Sequence, residues 1–159
     1  MNSSNSLIKR QLRVKTGPGA LERLRRRLRQ VLVLEVRRPE ARALILLAME
    51  EAAANIVEHG YHGRAGHPLS VTVSVEGGEN VIIVLRDRAP VLDVTSVASG
   101  DLKDLAKRAA PRGRGLAMIG MLARSMRHRP RRGGGNELEL AFNVEELARR
   151  AEETLNDAA

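Results

Sequence analysis

Cysteine and tryptophan are both absent from the chain of 159 residues, and other aromatic residues are scarce. Without cysteine the protein can form no disulfide, thiolate zinc site or cysteine nucleophile, which fits a reducing cytoplasm. Tyr61 and Phe142 are the only aromatic residues, so the core must be packed from aliphatic side chains. Proteins that read single-stranded nucleic acid stack its bases on several aromatic faces, and this composition argues against that class.

Long apolar runs are also missing. No uninterrupted run reaches the roughly 18 residues of a membrane helix, and the first ten residues do not read as a secretory signal. We therefore expect a soluble cytoplasmic protein with no membrane partner. The length predicts a single domain with one core.

Charge is distributed in blocks along the chain, for a net charge of +8. Residues 1–48 carry twelve lysines and arginines against three acidic residues, and residues 106–135 carry nine against none. The remaining segments, 49–105 and 136–159, are net acidic. Basic blocks raise the local concentration of anions, so they indicate either phosphates or an acidic partner, or else an ordinary solvated surface.

Hydrophobic periodicity predicts a mixture of strands and helices. Residues 7–15 alternate as a strand, and residues 20–34 form an amphipathic helix with an arginine-rich outer side. Asn143 is expected to cap the last helix, with Glu146 completing a capping box. The other predicted elements are helices over 40–61 and 113–125, hairpin strands over 69–76 and 80–87, one more strand at 124–130 and a last strand over 136–143.

This order of elements predicts an α+β fold. We expect a two-layer α/β sandwich in which helices cover one face of a mixed, mostly antiparallel sheet. The main domain is predicted to span residues 1–143. The last helix, within 144–159, is then an extension that serves dimerisation or regulation.

The helix predicted over 40–61 carries a polar stripe beside its apolar one. The stripe comprises Glu51, Asn55, Glu58 and His62, which follow helical spacing. A glutamate carboxylate can polarise a hydroxyl or water, and an asparagine oxygen can complete the shell of Mg²⁺. The same stripe also fits an ordinary solvated helix face. His59 is expected to pack or to hydrogen-bond at the helix end rather than to join His62 and His67 in a metal site.

Two further motifs carry candidate chemistry. Asp87 follows a strand and can accept a hydrogen bond from an exocyclic amine, although aspartate there is often a turn former. The stretch 112–116 places glycines at the mouth of an apolar helix, where backbone amides can bind an anion, or simply make a tight turn. The stretch contains neither a Walker loop nor a dinucleotide fingerprint.

In their order and spacing, these motifs resemble the nucleotide site of the histidine-kinase-like ATPase (GHKL) superfamily. Residues 51–61 (EAAANIVEHGY) are similar to the E-A-x-x-N-x-x-x-H-[AG]-Y box of anti-sigma-factor serine kinases of RsbW type. Residues 85–93 resemble the V-x-D-x-G-x-x-F-D segment of that family, and residues 113–119 its G-x-G-L-x-[LM]-I segment. Residues 135–138 resemble the glycine turn before its last strand, so the likeness covers roughly 7–143.

The resemblance implies a Bergerat ATP-binding fold that binds ATP and Mg²⁺ beneath a lid formed by residues 94–112. Glu51 would be the general base, Asn55 would hold Mg²⁺ between the phosphates, and Asp87 would recognise the adenine amino group. The implied ATP-binding residues are Asn55, Asp87, Ala89, Gly113, Arg114, Gly115 and Leu116. Kinases of this type form homodimers, transfer the γ-phosphoryl group to a serine of a STAS-domain anti-anti-sigma protein, and bind a sigma factor in competition with it.

The sequence departs from this family at two positions and leaves two other classes of function open. Ala89 stands at a family glycine and Leu92 at a family aromatic residue, and an alanine methyl would crowd the base if it pointed inward. A catalytically silent partner-binding module of the same fold is therefore the second hypothesis. Nucleic-acid binding through arginines at 23–29 and 124–132 is the third, and we do not expect it as the main function.

Overall fold

The computed structural model describes residues 6–91 and 114–157. The strands are β1 (Leu7–Lys15), β2 (Pro68–Glu76), β3 (Asn80–Arg86), β4 (Ser125–Pro130) and β5 (Asn136–Asn143), and the helices are α1 (Ala20–Glu35), α2 (Pro39–Asn55), α3 (Arg114–Leu122) and α4 (Val144–Asp157). None of these described helices is long and apolar enough to cross a membrane.

The five strands form one sheet in the order β1-β2-β3-β5-β4, and each neighbouring pair is antiparallel. β5 lies between β3 and β4, which therefore run parallel to each other. The chain passes from β3 to β4 through the segment that contains α3. The α+β class and the two-layer sandwich are confirmed, and the strand predicted at 124–130 is present as β4.

The core lies between the helices and one face of the sheet. Alternate residues of the central strands, such as Val73 and Ile83, point toward the helices and are buried, while Ser70 and Ile82 face the other side. Helix α2 is central and packs against α1, α3 and α4. Its buried residues are mostly small, which allows the other helices to approach closely: Ala41, Ile45, Ala48, Met49, Ala52 and Ala53.

Helix α2 ends earlier than the sequence pattern predicts. Its α-helical part stops at Asn55 and continues as a π-helical turn, Ile56–Gly60, closed by a bond from the Tyr61 N–H to the Ile56 carbonyl (2.9 Å). The wider turn breaks the predicted polar stripe after Asn55, and Glu58 and His62 are exposed. His59 is exposed as well, so the prediction that it packs at the helix end is wrong. Single π-turns of this kind often lie at functional sites.

Helix α4 shares the core of the domain. The Glu146 N–H donates to Asn143 Oδ1 (2.9 Å), which confirms the predicted N-cap, while the Glu146 carboxylate contacts Arg150. Val144 and Leu147 are buried in the same apolar cluster as α1 and α2. Packing is thus continuous across residue 143. Treating 144–159 as a regulatory extension remains a prediction.

Candidate functional site

Asp87 directly follows β3 and is held by a dense set of hydrogen bonds. Its side chain is 3% exposed, and its Oδ1 accepts from the Ala89 N–H (2.8 Å) and from Asn136 Nδ2 (3.0 Å). Its backbone N–H donates to the Asn136 carbonyl (3.1 Å), and its carbonyl accepts from Arg131 Nη1 (3.0 Å). Among the described residues only Oδ1 of the carboxylate is engaged, so Oδ2 can accept from a further donor.

Tyr61 ties the segment after Asp87 to the end of α2. Its hydroxyl donates to the Pro68 carbonyl (2.7 Å) and accepts from the Arg88 N–H (2.6 Å), and its ring stacks on His67 at 4.6 Å between centroids. Burial raises the pKa of Tyr61 above its usual value, so the hydroxyl keeps the proton that it donates. Both hydrogen-bonding positions of the hydroxyl are used. Tyr61 therefore fixes the start of the 87–90 segment.

Ala89 packs against the end of the π-helical turn. Ala89 is 2% exposed, and a Cβ built on Gly60 would lie only 2.9 Å from the Ala89 Cβ. The methyl group at this departure from the family glycine thus fills the space beside Gly60. The methyl group is accommodated there by the absence of a side chain at Gly60.

Exchanging the two small residues tests that packing. Gly60→Ala should destabilise the fold by about 1–3 kcal/mol through overpacking, and adding Ala89→Gly should recover most of the loss. Urea unfolding of the two single variants and the double variant gives the coupling energy, expected to be about 1 kcal/mol or more. Additive effects of the two substitutions would contradict the contact.

The second part of the site is the approach of α3 to α2. A Cβ built on Gly115 would overlap Oε2 of Glu51 and would lie 3.6 Å from Nδ2 of Asn55. Glycine at this position therefore lets the first turn of α3 come against both predicted functional side chains. Arg114 begins the same helix, and Leu116 packs against the apolar core.

The asparagine amide in this cleft lacks an expected partner. Nδ2 of Asn55 is buried and has no hydrogen-bond partner among residues 6–91 and 114–157. Buried polar groups in folded proteins are nearly always satisfied by protein, water or ligand. A phosphate oxygen can accept from Nδ2, and Mg²⁺ can take the amide oxygen of Asn55, so the residues present fit a magnesium nucleotide.

Both parts of the site adjoin the last residues of α2 and its π-helical turn. Asn55 lies against α3, and Gly60, five residues later, lies against Ala89. Glu51, Asn55 and Gly115 are brought together as predicted, and Asp87 and Ala89 lie at the same end of α2. Gly113, Leu92 and the predicted lid, 94–112, lie outside the described residues. Within the described ranges no group of three histidine or acidic residues could hold a metal ion.

The sequence of the chain matches the model of a known protein family. The model of the histidine kinase-like ATPase domain matches residues 14–142, most of the chain. The chain belongs to the histidine kinase-like ATPase family. No curated protein matches it. The match runs from the end of β1 through β5 and stops just before α4. As a histidine kinase-like ATPase, the chain is an ATP-binding, kinase-like domain.

Several residues whose hydrogen bonds lie around Asp87 were not singled out from the sequence. Asn136 lies in the glycine turn segment that the sequence comparison included, but nothing in that pattern indicates that its amide reaches Asp87, 49 residues earlier in the chain. Arg131 and His128 belong to the basic stretch that was interpreted only by its charge. Tyr61 was part of a quoted motif without a role. The contacts of Asn136 and Arg131 with Asp87, and of Tyr61 with Arg88, join residues far apart in the chain, so no local signal could have revealed them.

Proposed function

We propose that the chain is an ATP-dependent protein-serine kinase that acts as an anti-sigma regulator by switching partners. In this function it phosphorylates a serine of a STAS-domain anti-anti-sigma protein and binds a sigma factor when that protein is phosphorylated. The observation that supports a kinase most directly is the placement of the Glu51 carboxylate and the Asn55 amide against Gly115 at the start of α3. A homodimer in the cytoplasm is part of the same proposal.

The proposed roles follow from the chemistry of each group. Asp87 accepts a hydrogen bond from the adenine amino group. The first backbone N–H groups of α3, together with that of Gly113, hold phosphate oxygens. Asn55 holds Mg²⁺, which neutralises charge on the phosphates when bound. Glu51 accepts the proton of the attacking serine hydroxyl. Catalysis of this kind depends mainly on positioning the hydroxyl and on neutralising charge.

The two neighbouring glutamates of α2 differ in the property that a general base requires. Glu50 forms an ion pair with Arg25 (2.7 Å), whereas Glu51 forms no ion pair with any described residue. The Glu50 carboxylate is therefore already occupied by the Arg25 guanidinium. Glu51, beside Gly115, is therefore the better candidate, and Glu50 is a matched control on the same helix.

Glu51→Gln is expected to keep Mg-ATP affinity within about threefold and to lower phosphoryl transfer by at least about 100-fold, because the proton acceptor is lost. The measurement is transfer of labelled γ-phosphate to purified STAS-domain proteins of the same organism, with ATP binding followed by calorimetry. Glu50→Gln should leave transfer nearly unchanged. Full transfer by the Glu51 variant would remove Glu51 from its role.

The same experiment distinguishes the silent-module alternative. If the chain only binds partners, the wild-type protein would form a complex with a STAS-domain protein but would not phosphorylate its serine. The exposed arginines of α1 and β4 keep nucleic-acid binding as a further alternative. That alternative requires an affinity for DNA or RNA that falls steeply with salt concentration.

A further inference from the structure

The C-terminal end of α3 is held by an arginine of α4. Nη1 of Arg150 donates to the Met121 carbonyl (2.6 Å), and Nη2 of the same guanidinium group contacts the Glu146 carboxylate, one turn earlier in α4. The Glu146 N–H donates to the side chain of Asn143, at the end of β5. Arg150 is thus held by the capped first turn of α4 while it reaches across to α3.

The Met121 carbonyl is a group that α3 cannot satisfy by itself. Its helical donor would be the N–H four residues later, at Ser125, but Ser125 begins β4. The Arg124 N–H donates to the Ala141 carbonyl (2.7 Å) in β5. Arg150 supplies a donor from outside the helix, and its charge suits the partial negative charge at a helix C-terminus.

Helix α3 is weak in isolation. It has nine residues, too few for a helix to be stable alone, and Gly115 and Gly120 are among them. Its buried Ile119 and partly buried Leu116 and Leu122 pack in the apolar core. Apolar packing is non-directional, whereas a hydrogen bond depends steeply on distance and angle. The Arg150 contact therefore adds what the apolar packing lacks, a fixed position of α3 along its own axis.

The opposite end of α3 forms the part of the proposed site that faces the phosphates. A Cβ at Gly115 would overlap Oε2 of Glu51 and lie 3.6 Å from Nδ2 of Asn55. Met121 is six residues later, about 9 Å along the helix axis. Because a helix moves along its axis as a unit, a displacement of its last turn would also displace the Gly115 contact.

We propose that Arg150 is a positioning residue for the phosphate end of the site: by holding the last turn of α3, it keeps the first turn against Glu51 and Asn55. This role rests on the proposed function, in which the first N–H groups of α3 hold phosphate oxygens. It gives α4, which begins after the residues matched by the family model, a part in nucleotide binding. Since α4 buries Leu147 in the core, deleting the helix would expose the core, and the test uses single side chains.

Arg150→Met is the test variant, and Arg149→Met is its matched control. Each substitution removes one positive charge and one ion pair within α4, because Arg149 pairs with Glu153 and Arg150 with Glu146. Of the two arginines, Arg150 reaches α3. Both side chains are exposed, so the variants should stay folded, and thermal unfolding verifies this.

The first measurement is amide hydrogen exchange of the ligand-free protein. The Ala123 N–H donates to the Ile119 carbonyl (2.8 Å) and so reports opening of the last turn of α3. Its exchange should become at least about threefold faster in Arg150→Met, because a hydrogen bond from a charged group is lost at a partly exposed site. The Val36 amide, at the end of α1, should exchange at an unchanged rate in both variants.

Calorimetry with Mg-ATP is the second measurement. Affinity should fall about three- to tenfold in Arg150→Met and stay within about 1.5-fold of the wild-type value in Arg149→Met, which leaves α3 in place. Arg150→Lys keeps the charge and a donor, so it should recover most of both losses.

Four results would overturn the proposal or its premise in distinguishable ways. Unchanged Ala123 exchange in Arg150→Met would show that the contact does not hold α3. Faster exchange with unchanged affinity for Mg-ATP would leave Arg150 a purely structural role. Equal losses in both methionine variants would show that charge, rather than the contact, is responsible. A wild-type chain that bound no Mg-ATP would overturn the proposed function, while the exchange rates would still show whether Arg150 holds α3.

Discussion

Asp87→Asn should lower the affinity for Mg-ATP by at least about 100-fold while the protein stays folded. The substitution preserves size, and an asparagine oxygen at the Oδ1 position can still accept from Ala89 and Asn136. At the Oδ2 position, however, an NH₂ group replaces an acceptor and would face the amino group of adenine. Losing a hydrogen bond to a charged acceptor and setting two donors against each other costs about 3 kcal/mol or more.

Titration calorimetry with Mg-ATP measures this loss, and thermal unfolding verifies the fold. Asp157→Asn is a suitable control, because Asp157 is exposed at the end of α4. This substitution removes the same charge at a position away from the site. An affinity for ATP within twofold of the wild-type value would mean that Asp87 does not contact the base. The proposed role of Asp87 in binding the base would then fail.

The sequence was most informative where its pattern is local. Loose alternation predicted β1 and alternation predicted β5, both with their observed ends, and the leucine spacing of α1 predicted that helix to within a residue. Asn143 was recognised as a cap because N-cap chemistry involves only residues within one turn. These elements depend on neighbouring residues alone, so their prediction needed no knowledge of the fold.

The end of α2 could not be predicted in this way. The apolar spacing from 40 to 61 fits one continuous helix, but the chain forms a π-helical turn after Asn55. Residues at the end of that turn make two contacts with residues far along the chain. The Tyr61 hydroxyl accepts a hydrogen bond from the Arg88 N–H, and the Ala89 methyl group packs against Gly60. Such long-range packing can override local propensity, so the end of the α-helical part at Asn55 was missed.

The candidate site shows the same division. Motif spacing singled out the residues at 51, 55, 87 and 115, because their types suit contact with a nucleotide. What spacing could not reveal is how closely the backbone segments approach. A side chain at Gly115 would meet the flexible end of the Glu51 side chain, whereas a side chain at Gly135 would meet the backbone carbonyl of Asp87. Each glycine lies directly against a carboxylate residue of another segment.

Gly135→Ala should therefore be the most damaging single substitution among the described glycines. Its φ is +91°, and a Cβ there would overlap the Asp87 carbonyl and lie 2.9 Å from the Arg88 Cα. These are backbone atoms held by strands β3 and β5, so relief requires the two strands to move apart. We expect a loss of about 3–5 kcal/mol, roughly a 10 °C fall in Tm for a domain of this size, and loss of ATP binding by the molecules that remain folded.

Gly134→Ala is the matched control, because its φ is +97° and a Cβ there would meet no atom within 4 Å. It experiences the same conformational strain without the overlap and should cost only about 1–2 kcal/mol. Urea unfolding of both variants isolates the overlap as the difference between them. Equal losses would show that strain in the glycine turn, rather than contact with Asp87, explains the need for glycine at 135. A clear difference would show that the turn before β5 abuts the backbone of the residue proposed to read adenine, and that the stability of the sheet and the shape of the base site depend on the same contact.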